Sequence, residues 1–140
     1  MKKILHETGF LFAVVFLVMV LMPLAGQAEE QTGLTVSRAA ICNDIVEHEP
    51  VDKGTTFTSD VNKLYCFSEI MGAQTNTHIT HVWYFMGTER ARVELKVNGS
   101  KWRTSSSKRI QDFEIGDWEV KILDAEDTVL KVLKFTITAQ

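Results

Sequence analysis

The chain has 140 residues, enough for one domain and short for two, with a formal net charge of −3 and 45% hydrophobic residues. One uncharged run, Phe10 to Leu24, inflates the apolar content; setting aside residues 1–28 of the 140 leaves 112, and losing Lys2 and Lys3 from the 15 basic residues and Glu7 from the 18 acidic ones takes the charge to −4. A mildly acidic remainder argues against nucleic-acid binding, its apolar content against disorder, and the single apolar run against a polytopic membrane protein.

The N-terminus reads as an address. Lys2 and Lys3 precede an apolar core, Phe10 to Leu21, that Pro23 breaks; Gly26 and Ala28 are small residues at the −3 and −1 positions of a cut after Ala28. This pattern predicts an apolar signal helix, with residues 1–28 as a secretory signal peptide. A polar linker over 29–33 and one domain over 34–138 follow. The alternative is an uncleaved anchor, although a span takes about 20 apolar residues and this run has about fifteen. No Cys follows the run, so no lipid-modified N-terminal Cys is expected. The predicted location is periplasmic or secreted, with membrane contact only through the N-terminal segment if it stays uncleaved.

An oxidising compartment favours disulfides. Cys42 and Cys66 are the only cysteines, and both fall in strand-like segments, so the expectation is a Cys42–Cys66 bridge. It would close a loop of about 25 residues and stabilise by roughly 3–4 kcal/mol. The chain lacks a Cys-x-x-Cys redox motif.

In chain order, Leu34 to Cys42 is rich in β-formers and reads as a first strand. Asn43 to Asp60, with Pro50 and Gly54, reads as a long polar loop, held extended at Glu49-Pro50. Val61 to Ile70 is a second strand, Gly72 to Asn76 a turn, and His78 to Met86 a third strand. This third strand carries His81, Trp83 and Phe85 on one face and Val82, Tyr84 and Met86 on the other, as a central strand does. After Gly87-Thr88, Glu89 to Val97 alternates strictly: Ala91, Val93, Leu95 and Val97 against Arg92, Glu94 and Lys96. Asn98-Gly99 is a hairpin signal. Lys101 to Ile110 reads as a short strand running into a loop. Trp118 to Leu123 and Val129 to Thr138 close the domain, with Trp118, Val120, Ile122, Leu133, Phe135 and Ile137 inward.

No segment has a 3.6-residue apolar period. About seven short strands at this spacing predict an all-β fold, a single immunoglobulin-like antiparallel β-sandwich. Trp83 follows both cysteines rather than lying between them, which departs from true immunoglobulin domains.

Arg38-Ala39, Glu49-Pro50, Leu64-Tyr65-Cys66-Phe67-Ser68 and Thr80-His81-Val82-Trp83-Tyr84 follow one another in the order of a known pattern. So do Trp102-Arg103-Thr104, Ser106-Ser107-Lys108, Gly116-x-Trp118-x-Val120 and the stretch from Val129-Leu130 to Phe135. Over residues 34–138 the chain resembles the bacterial DUF2914 family, a domain of unknown function. Ser105 departs from that pattern at a position where an aromatic is common. The resemblance implies no activity. It implies a module carried next to membrane or cell-envelope segments.

Two constellations bear on chemistry. His78 and His81 are three apart; on a strand such residues face opposite ways, which makes joint metal ligation poor. A periplasmic copper or zinc site using them with Met86 or Met71 is the metal reading; the bland reading is a hydrogen-bonded His81 at the edge of the core. The second is Lys101 to Arg109, with four basic residues and no acid, followed by Asp112 to Asp127 with seven acids and Lys121 as the only base. Either these edges pair with each other or are simply solvated, or Arg103 and its neighbours bind an anion or glycan, with Arg forks for carboxylate or phosphate and Trp102 as an apolar face.

Enzyme templates fail: there is no Gly-x-Ser-x-Gly, no His-Glu-x-x-His and no phosphate-cradling Gly-rich loop. The expectation is a non-enzymatic, cofactor-free binding or accessory module of the cell envelope. Its partner would be a protein or a polysaccharide, and its ligand face would carry His81, Trp102, Arg103, Ser106 and Lys108. A metal-binding protein and a purely structural domain of a membrane complex are the alternatives.

Overall fold

A computed structural model describes residues 33–140. The apolar run and the cut expected after Ala28 lie outside the described residues. The strands are β1 (Thr35–Val46), β2 (Glu49–Gly54), β3 (Thr56–Thr58), β4 (Lys63–Met71), β5 (Thr77–Phe85), β6 (Thr88–Val97), β7 (Lys101–Arg109), β8 (Gly116–Leu123) and β9 (Val129–Thr138). They form two sheets, β2-β1-β4-β7 and β3-β9-β8-β5-β6. The fold is therefore an all-β sandwich, as the sequence predicts, with no helix among the described residues.

Three expectations need correction. The described residues hold nine strands, not seven, because two strands lie inside the stretch read as a polar loop. Pairing is not wholly antiparallel, since the three-residue β3 runs parallel to β9. And β7 keeps strand pairing with β4 from Lys101 to Arg109 instead of dissolving into a loop.

The expected Cys42–Cys66 bridge is also absent: both thiols are free and buried. The register gives the reason. Cys66 lies opposite Ile41, and Cys42 lies opposite Tyr65. Directly opposite residues share a sheet face and successive residues alternate, so the two thiols leave opposite faces of the sheet. A bond between them would need the backbone to move.

Between the sheets the core forms two apolar clusters. One contains Leu64, Cys66, Trp83, Trp118 and Phe135. The other contains Leu34, Ile70, Ile79, Val97 and Ile122. Phe135 stacks on Trp118 at 5.8 Å between ring centroids and meets Trp83 edge-on at 6.2 Å. Along β4 the inward series is Leu64, Cys66, Ser68, Ile70; along β5 it is Ile79, His81, Trp83. Ser68 and His81 thus interrupt the apolar series at the same depth, between the clusters.

Gly72 is fixed by close approach. Its φ is +94°, and a Cβ there would meet the Gly33 carbonyl oxygen at 2.2 Å. Only glycine allows this crossing, which brings the start of the domain against the end of β4.

Candidate functional site

The strand alternation sends His81 and Ser106 inward, not onto a ligand face. His81 has no solvent exposure. Its Nε2 lies 2.7 Å from Ser68 Oγ and its Nδ1 lies 2.7 Å from Ser106 Oγ. Trp83 Nε1 donates to the same Ser106 oxygen at 3.1 Å. Trp83 can only donate, so Ser106 Oγ accepts from it; in the neutral imidazole one ring nitrogen donates to its serine and the other accepts, the tautomer setting which. Burial holds the imidazole neutral, pushing its pKa from 6.5 down to about 4. Every buried polar side-chain atom among the described residues has a partner. None of the four surface recesses described is lined by His81, Ser68 or Ser106. The cluster is a polar layer that joins the two sheets.

The outer face of the four-stranded sheet is different. Arg38 on β1, Glu69 on β4 and Arg103 on β7 share it, as their register requires. Glu49, at the start of β2, lies between the two arginines: Arg38 Nη2 is 2.5 Å from one of its oxygens and Arg103 Nη1 is 2.7 Å from the other. Arg38 also reaches Glu69 at 3.4 Å, which Ser37 Oγ holds at 2.9 Å. The guanidinium of Arg38 lies 5.1 Å above the ring of Phe67. Hydrogen bonds first from Arg38 and then from Arg103 hold the Glu49 carboxyl down at about 2, and the same contact raises the Arg38 pKa.

A recess of about 490 Å³ adjoins this network. It runs from Ile45 and His48 over Phe67, around the edge strand β7 at Trp102 and Arg103, to Glu94 and Lys96 on β6. Trp102 packs its inner side on the second apolar cluster. Lys96 on the far wall makes no ion pair among the described residues.

Of the five residues expected on one face, only Trp102 and Arg103 line a common recess. Lys108 sits towards the other end of β7, over the Trp118 ring at 5.9 Å, and donates to the Arg109 carbonyl. His78 lies on the outer face of β5, 3.9 Å from Glu94, away from His81. Arg103 of the basic strand β7 pairs with Glu49 on β2, not with the acidic stretch that follows its own strand. Sequence reasoning missed Arg38, Glu49 and Phe67 as site residues. They surfaced only in the family-like pattern, because the register that unites them was hidden in the apparent loop.

A larger recess, about 780 Å³, lies on the outer face of the five-stranded sheet around Tyr84, Asp117, Glu119, Lys121 and Lys134. Size alone would favour it. Its charges, however, are mixed, and Lys121 is engaged by Glu119 at 3.8 Å and by the Tyr84 ring at 5.0 Å.

Fold and site together define a small β-sandwich module with a recess at one sheet edge, lined by Arg103 and adjoining the Arg38–Glu49–Arg103 network. Residues 76–137, from the start of β5 almost to the end of β9, match the family described as "Protein of unknown function (DUF2914)", which bears out over that stretch the resemblance read from the sequence. No curated protein matches the chain. Two solved structures are similar over most of it, each at 8% identity. One is a β-D-glucoside glucohydrolase from Trichoderma reesei, with a TM-score of 0.44 over 76% of this chain and 19% of that one. The other is a mutant β-glucosidase from Listeria innocua in complex with laminaribiose, with a TM-score of 0.42 over 75% of this chain and 16% of that one. The chain spans less than a fifth of either enzyme, and likenesses at this level carry no argument about function.

Proposed function

We propose that this protein is an exported, non-enzymatic module of immunoglobulin-like type. On this reading it binds an acidic polysaccharide of the cell envelope at the recess between β6, β7 and the β1–β2 hairpin. One observation carries the proposal: Arg38 and Arg103, from different strands, converge on a single carboxylate beside a recess with aromatic walls. Guanidinium forks suit carboxylates, and they keep their charge at any physiological pH. Trp102 offers an apolar face to a sugar ring, and Lys96 offers a second cation to the next acidic unit. A protein partner remains the other occupant, and acidic side chains would serve it in the same way.

Affinity chromatography on immobilised polygalacturonate tests the proposal. The protein should be retarded at low salt and released as screening rises, and it should pass an uncharged dextran column freely. Arg103→Ala should abolish retardation. Equal retardation of the wild type and of Arg103→Ala would contradict the assignment of the site.

A further inference from the structure

The contact between Arg38 and Glu49 sets a geometric problem. Val46, the end of β1, pairs with Glu49. Eight residues of flat strand would carry that pair about 26 Å from Arg38. Yet the side chains touch. The hairpin must double back over the outer face of its own sheet. The ladder shows where. Pairs run from Ile41–Gly54 to Cys42–Lys53 and resume at Asp44–Val51; Asn43 and Asp52 do not pair, and Asp52 has φ +54°. β1 also parts from β4 at this point, after Cys42–Tyr65. Phe67, on the outer face, is only 1% exposed, and it lines recesses with Ile45 and His48 on one side and Pro50 on the other. The tip beyond the break is tied to the sheet by charge at Glu49 alone among the described residues. Its Val46 remains 51% exposed.

We propose that the hairpin tip, residues 44–51, is a lid over the anion site, and that Glu49 is a resident competitor whose carboxylate occupies the place of a ligand carboxylate. This inference rests on the function proposed above and specifies how that site is closed. The incoming hexuronate carboxylate takes the two guanidiniums, Glu49 is released, and the hairpin swings at Asn43 and Asp52. Arg38 and the face of Phe67 then join Arg103 and Trp102 in one continuous site.

Isothermal titration of the purified protein with a short oligogalacturonate, alongside a neutral dextran oligomer, reads the competition. Glu49→Gln should bind the acidic oligomer at least fivefold more tightly than the wild type. Amide exchange should be faster over residues 44–51 and unchanged in β5 and β8. Equal affinity of the two proteins, both lost on Arg103→Ala, would keep the anion site and overturn the lid. Absence of binding by both proteins would overturn the site and the lid together. Glu49 is a surface residue, so an unchanged melting temperature confirms that the variant is folded.

Discussion

His81 illustrates how one residue carries structure from both sheets. Neutral, it can donate from one ring nitrogen and accept at the other, and two serines supply the matching partners. Ser106→Ala would leave Trp83 Nε1 and His81 Nδ1 without a partner in the core. That loss should lower unfolding free energy by about 1–3 kcal/mol, as read by urea denaturation at neutral pH. Phe67→Ala removes a ring that is only 1% exposed and should cost about 3–5 kcal/mol. The cysteines give a third expectation at this scale. Burial raises both thiol pKa values, and the register keeps the sulfurs on opposite faces. Native protein should resist iodoacetamide, and denatured protein should take up two labels. A mass lower by two hydrogens would contradict the register. The sequence offered two lone cysteines in strands, but pairing by elimination cannot see a one-residue offset, and that offset decides the outcome.

At the scale of elements, legibility followed the strength of the alternation. Glu89 to Val97 and Val129 to Thr138 were plain because one face is wet and one is dry, and both strands stand as read. The β1–β2 hairpin was not legible. Its tip, Val46-Glu47-His48-Glu49, has both central residues at positive φ, 52° and 62°. That is the geometry of a two-residue turn that normally carries Asn-Gly. Glu-His gives no such signal, and its polar residues read as a loop. β3 has only three residues and pairs in parallel with the last strand of the chain, so nothing local announces it. The two left-handed, non-glycine residues also store strain. Replacing Glu47-His48 by Asn-Gly should therefore stabilise the hairpin by about 1 kcal/mol and raise the melting temperature by roughly 4 °C. A lower melting temperature would contradict this reading of the turn.

For the whole molecule, the polar layer between two apolar clusters makes stability depend on pH. The folded pKa of His81 is about 4 against an ordinary 6.5. Between those values the unfolded chain binds a proton that the folded one refuses. Stability from this group is therefore complete above pH 6.5, falls as pH drops, and is fully lost below pH 4; the total is about 3 kcal/mol. Urea midpoints at pH 7 and 4.5 should show most of that loss in the wild type. A His81→Asn variant, which cannot titrate there, should lack that component. The candidate site was half legible at this scale. Trp102 and Arg103 stood out in a basic segment. The convergence of Arg38 and Glu49 on them depends on a hairpin that folds back across its own sheet, and no local pattern encodes that.

On the proposed function, an acidic polymer binds where the two arginines converge. An amide and indole NMR titration of the purified protein with oligogalacturonate tests it residue by residue. Salt-sensitive shifts are expected at Arg38, Phe67, Lys96, Arg103 and the Trp102 indole, with residues 44–51 moving along with them. Shifts confined to Tyr84, Lys121 and Lys134, or none at any concentration, would contradict it.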